Sequence, residues 1–282
     1  MAKFNASQFK NKMRNIQNQY NREMRKVERK LNQGINNYNR AVRKYNTELR
    51  HNQSKIKSEL AKLQRNSTVR VRSNYEISVI SVNQSYNQLK QKYDFNEGGQ
   101  YIDLLQGIEE ENANNLEVAN VVFNNDETDN EEYSLEDTLI SNNLLNISED
   151  LNNRWMGAIY ALNPKNPDAT RHFCTSTREI FIQIIDTKAK EDDVIKIFPN
   201  CEKTDNGSVT RRSKIKYLLY QKGVNDVDME EFIHSDIENI LSLLYELNGG
   251  THGKSGKYTL NQLKSIKKRA ERGLNFLCKY VV

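Results

Sequence analysis

The sequence predicts an all-α protein: a long N-terminal coiled-coil helix followed by a C-terminal helical bundle. Three observations carry that prediction. Apolar residues in the first 63 positions recur at steps of three and four. The three prolines among 282 residues, Pro164, Pro167 and Pro199, fall in one stretch and leave long runs free to be helical. From Ser134 onward, helix-start signals recur down to the last residues.

The N-terminal element is justified by spacing. Phe9, Met13, Ile16, Tyr20, Met24, Val27, Leu31, Ile35, Tyr38 and Val42 form an eleven-residue repeat, about 3.67 residues per turn, which favours a straight or slightly right-handed supercoil. Val42, Leu49, Ile56 and Leu63 then continue at seven, the spacing of left-handed winding. A helix over residues 7–63 would carry a stripe too narrow to be stable alone. It must pair with a second copy, with another helix of the chain or with a partner; self-association through 7–63 is the favoured reading. Its other faces carry Asn, Gln, Lys and Arg, suited to a solvated face or to a nucleic-acid backbone through Arg22, Arg25, Arg29, Arg40, Arg43 and Arg50. Val69-Arg70-Val71-Arg72 alternates with period two and reads as one short strand, and helical spacing returns from Val79 to Tyr93.

Charge divides the chain more sharply than its net of +5 suggests. Residues 1–93 carry 21 basic and 5 acidic side chains, residues 94–150 carry 0 and 16, and residues 151–282 carry 21 and 16. The basic arm suits a polyanion or the chain's own acidic middle, and the two uses compete. Gly98-Gly99 and the Asn-, Glu- and Asp-rich run from Glu109 to Glu132 read as a linker, so the expected domains are an arm at 1–93, an acidic linker at 94–133 and a bundle at 134–282.

Within the bundle, Ser134 with Asp137 starts a helix to about Leu162, and Asn166 before Pro167 starts one that carries Ala169 to Thr187. A third runs from Val209 to Gln221. Asp228 with Glu231, and Thr259 with Gln262, make capping boxes for helices ending near Leu247 and Tyr280. Trp155, Phe173, Phe181, Ile240, Leu244 and Leu274 are candidate core residues.

Cys174, Cys201 and Cys278 lack the spacing of a disulfide framework or a zinc site, and no P-loop, HxH, DxD or PD-(D/E)xK pattern is present. No metal or cofactor is therefore expected. The N-terminus lacks the apolar run of a signal peptide, and no window approaches a membrane span, so the expected location is the cytoplasm with no membrane partner.

The turn Leu247-Asn248-Gly249-Gly250-Thr251-His252-Gly253 resembles that of HEPN domains, a helical family of metal-independent ribonucleases and nucleic-acid binders in bacterial conflict systems. Across 151–282, the text from Trp155 to Leu162, Asn166-Pro167-Asp168, Ser176 to Glu179 and Thr210-Arg211-Arg212 also resembles the predicted pPIWI-associating nucleases. The resemblance implies a HEPN-like bundle in which Asn248 and His252 match an Arg-Asn-x3-His turn, with Leu247 standing where the family carries arginine. Leucine cannot hold a phosphate. Arg178, Arg211 or Arg212 would have to supply the cation from another helix, which gives Arg178, Asn248 and His252 as the catalytic candidates.

Arg171, His172, Arg211, Arg212, Lys254 and Lys268 are the candidate nucleic-acid contacts. Arg171-His172 also suits an exposed pair, and Arg178 a structural ion pair with a buried carboxylate that fixes the bundle. Lys264, Lys267, Lys268, Arg269 and Arg272 make the closing helix basic enough to extend a nucleic-acid surface. The functional expectation is an effector or accessory protein of antiphage defence acting on nucleic acid, RNA above DNA, with a second defence protein as a further partner and metal-independent ribonuclease activity open. The alternative is a non-catalytic coiled-coil adaptor whose bundle binds a protein or RNA.

Overall fold

The computed structural model describes residues 6–65, 73–93, 95, 99–124, 140–163, 166, 168–249 and 258–282. Contacts divide the chain after His51, giving unit 1 up to that residue and unit 2 from Asn52 to Val282. Helix α1 (Ala6–Arg65) runs through both as 60 continuous residues. In unit 1 the repeating apolar stripe is uncovered, from 37% exposure at Val42 to 69% at Tyr38. The heptad residues that follow differ, since Leu49 and Ile56 are 2% and 6% exposed.

Unit 2 continues with α2 (Asn74–Lys92), α3 (Ile102–Asn124), α4 (Ser141–Leu145), α5 (Glu149–Ala161), α6 (Ala169–Lys188), α7 (Glu191–Ile197), α8 (Arg211–Gln221), α9 (Val227–Gly249) and α10 (Leu260–Phe276), which ends in a π-helical turn, Leu277–Val281. Among the described residues the architecture is all-α, with one isolated antiparallel bridge between Lys203 and Val209. The strand expected at 69–72 and a helix start at Ser134 lie outside the described residues.

Helix starts follow local chemistry. The Ser73, Ser148 and Thr210 hydroxyls accept hydrogen bonds from the first-turn amides of α2, α5 and α8. Thr259 and Gln262 form the expected capping box of α10. The expected box of Asp228 and Glu231 does not form. Asp226 instead accepts from the amides of Asp228 and Met229 at 2.9 and 3.0 Å, because α9 begins two residues earlier than that box requires, at Val227.

The main correction concerns residues 74–124. Helix α2, expected as part of the arm, packs chiefly on α9, while the centre of the expected acidic linker is α3, packed on α10 and α2. Periodicity is hard to see in α3 because Asn112 and Asn115 take core positions between the apolar turns at Leu104, Leu105 and Ile108 and at Leu116 and Ala119. Their side chains donate to Asn83 Oδ1 at 3.2 Å and to the Val79 carbonyl at 3.4 Å, which offsets part of the burial of their amides, while both Oδ1 atoms are buried without a hydrogen bond among the described residues. Gly107 lets α3 close against the aromatic C-terminus: a Cβ there would sit 2.7 Å from the Tyr280 ring and 3.0 Å from Phe276. A second packing layer joins α5 to α6, where Trp155 meets Phe173 at a centroid distance of 6.0 Å.

Candidate functional site

Because α3 carries the acids and α10 the bases, the two helices neutralise each other inside unit 2. Arg269 is fully buried, and its guanidinium donates to Glu111 of α3 and Asp236 of α9, with Asn239 Oδ1 at 3.4 Å. Asn239 in turn donates to Ser78 Oγ of α2 at 2.9 Å. Burial raises both carboxyls above their ordinary range, each opposed by Arg269, and the negative charge of Asp236 raises Glu111 further. Two carboxyls share one guanidinium, so one of them holds a proton more readily than it would in water.

Lys267 is also fully buried, 3.4 Å from Glu271 Oε2, and Lys268 lies 3.8 Å from Glu117 Oε1. Arg272 donates to Asn114. The expectation of a basic outer surface on this helix is corrected accordingly: Arg269 faces the acidic helix, and Lys267 is buried on another side of α10 beside Glu271. Buried ion pairs of this kind position helices more than they add net stability.

A second, solvent-reachable cluster lies where α8 meets α9. Arg211 donates to Glu238 Oε1, and His234 Nε2 stands 3.8 Å from the same oxygen. Arg212 Nε is 3.3 Å from Glu230 Oε1 and its Nη2 is 2.6 Å from Glu231 Oε2. Burial holds the His234 imidazole below its ordinary 6.5, with Glu238 opposing and the arginines assisting, so it is neutral at pH 7 and can accept a proton. Arg212 and Glu230 of the cluster also line a cleft of ≈ 430 Å³ together with Cys201, Glu202, Ser213 and Lys216. The arginines at the start of α8, which sit poorly on the helix dipole, are answered by carboxylates of α9. Three glutamates face two arginines here, so the cluster offers acid–base chemistry rather than surplus positive charge.

The other expected site residues are dispersed. Arg178 lies in α6 with Nη2 3.4 Å from its neighbour Glu179, whose side chain is 47% exposed, so the buried carboxylate expected for it is not its partner. Arg171 pairs with Asp168, and His172 Nε2 is 3.4 Å from the same carboxylate, an exposed group at the start of α6. Asn248 is in the last turn of α9. His252 and Lys254 lie outside the described residues. Sequence reasoning passed over His234 and Glu238, whose available signal was the four-residue spacing that places both on one face of α9.

Residues 144–277 match the family model described as predicted pPIWI-associating nuclease. No curated protein and no solved structure matches the chain. The segment similar to this nuclease family contains the α8–α9 cluster and Arg269, but neither α2 nor α3, which supply Ser78 and Glu111 to the buried network. The family-like part is therefore completed by helices that precede it in the chain. Among the described residues no group of three or more His, Cys, Asp or Glu is placed to hold a metal ion, and no described helix is long and apolar enough to cross a membrane.

Proposed function

We propose that the protein is a nucleic-acid-directed effector of bacterial antiphage defence whose bundle cleaves RNA without a metal ion and whose arm self-associates and holds the nucleic-acid backbone. The match of residues 144–277 to a predicted nuclease family carries this reading. The acid–base pair of His234 and Glu238, beside Arg211 and Arg212, supports it from within that segment. His234 and His252 are the two candidates for proton transfer. Asn248 and Arg178 complete the set implied by the HEPN resemblance, and Arg171, His172, Lys254 and Lys268 remain proposed backbone contacts. The expected domain division is proposed in revised form, with the arm ending near His51 and the acidic helix counted with the bundle. The family description names association with pPIWI proteins, and a second defence protein of that kind is the proposed partner, in the cytoplasm.

One observation favours the adaptor reading: Arg178, Arg211 and Arg212 each face a carboxylate rather than converging on an open site. Cleavage of labelled single-stranded RNA, tRNA and DNA in EDTA separates the two. RNA loss that survives EDTA and disappears in His234→Ala or His252→Ala supports the nuclease. Intact substrates with salt-sensitive binding select the adaptor.

A further inference from the structure

The described part of unit 1 presents two different faces. On one, Phe9, Tyr20, Leu31 and Val42 repeat every eleven residues along a central line, flanked by Met13, Met24 and Ile35 and by Ile16, Val27 and Tyr38. Every one of these ten side chains is exposed. Together they offer on the order of 1,000 Å² of side-chain surface, against the few hundred Å² that a monomer ordinarily leaves in one patch.

The opposite face is cationic. At eleven residues per three turns, Arg14, Arg22, Arg25, Arg29 and Arg40 fall within about 50° of the line directly behind the stripe. All five are exposed, and none has an ion pair among the described residues. Arg14 and Arg25, and likewise Arg29 and Arg40, are eleven residues apart and so share a line, with an axial step of about 16 Å. Glu23 and Glu28 lie beside the apolar stripe, about 65° from its centre, rather than on the cationic line. From Lys10 to Arg50 there are twelve Lys and Arg against three Glu.

We infer that the arm pairs with a second copy through its apolar stripe, turning two rails of arginine outward, so that one dimer bridges two separate stretches of nucleic acid. The period selects the partner. A helix with a seven-residue repeat would rotate out of phase by about 150° over the 33 residues from Phe9 to Val42, whereas a copy of this arm keeps phase along its whole length. Charge selects the ligand on the outer face, where closely spaced phosphates meet cations that have no acidic partner.

Geometry then sets the stoichiometry. With helix axes about 10 Å apart, the rails lie on opposite sides of the pair and about 20 Å from each other. A duplex lying along one rail cannot reach the other without a sharp bend, which its persistence length of about 50 nm resists. Two duplexes are therefore held, one on each side. The inference rests on the nucleic-acid reading above and deepens it from binding to bridging.

The test uses the full chain and two duplexes of about 30 base pairs, stiff on this scale, one fixed to beads and the other labelled. Capture of the labelled duplex by the fixed one is read together with binding to a single duplex and with mass by light scattering. The wild type is expected to be dimeric and to retain the labelled duplex in low salt. Leu31→Asp and Ile16→Asp, at positions already in solvent, are expected to give a helical monomer that still binds one duplex but captures no second. Joint replacement of Arg22, Arg25, Arg29 and Arg40 by Gln is expected to leave the dimer intact, abolish capture and flatten the salt dependence by roughly 0.9 per lost contact. A monomeric wild type, a dimer that binds without capture, or capture unchanged by the four Gln substitutions overturns the inference alone. Absence of any duplex binding overturns the nucleic-acid reading as well.

Discussion

Replacing Arg269 by Met removes the one guanidinium between Glu111 and Asp236 and leaves both carboxyls in the interior, with only the charge of Arg272 still acting on Glu111. One of the pair already favours a proton in the wild type. The variant must protonate the second at pH 7, and against an ordinary value of 3.8 for Asp236 that is about three units, or about 4 kcal/mol. The figure falls within the 3–5 kcal/mol expected, roughly, when one partner of a buried ion pair is removed.

The pH dependence has a definite sign. A carboxyl whose folded pKa is raised above its unfolded value contributes stability that is fully present at low pH and lost as pH rises through the folded pKa. Arg269→Met should therefore weaken relative to the wild type as pH rises from about 5 to 8, with a slope steeper by about one proton. The deficit should shrink by about 2 to 3 kcal/mol between pH 7 and pH 5. Urea unfolding followed through Trp155, the single tryptophan, reports on the bundle because that residue is fully buried in α5. A deficit under about 1 kcal/mol at pH 7, or one equal at both pH values, would refute the shared-proton account.

Two smaller substitutions test how the bundle is closed. Thr259→Ala removes a hydroxyl that accepts from the Gln262 amide at 3.2 Å and breaks the capping box of α10. It should cost about 1 kcal/mol in the same unfolding measurement, with Gln262→Ala adding little once Thr259 is gone. Gly107→Val drives a branched side chain into the rings of Tyr280 and Phe276, so it should lower stability by about 1–3 kcal/mol. The companion variant Gly34→Ala, where a Cβ meets nothing within 4 Å, should be neutral or stabilising.

Periodicity and capping were local enough to be legible in the chain. The steps from Phe9 to Val42 specify a helix and its exposed stripe, and Thr259 with Gln262 specifies where α10 begins, because both depend on residues within one or two turns. The charge blocks were equally plain, but their partners were not. That Glu111 and Glu117 meet Arg269 and Lys268 of α10, and Asn114 meets Arg272, depends on contacts more than 150 residues apart. Nothing local distinguishes a cation facing an acidic helix from one facing solvent. The same limit hid α3, whose core positions at Asn112 and Asn115 look polar until Asn83 and the Val79 carbonyl are brought beside them. It also hid the cluster of His234 and Glu238, since Arg211 reaches Glu238 only once α8 lies against α9. The chain by itself determined the long N-terminal helix, the start of α10 and how charge is distributed along the sequence. Tertiary packing decided which charges are buried and paired, because desolvation and pairing depend on what a fold places within a few ångströms.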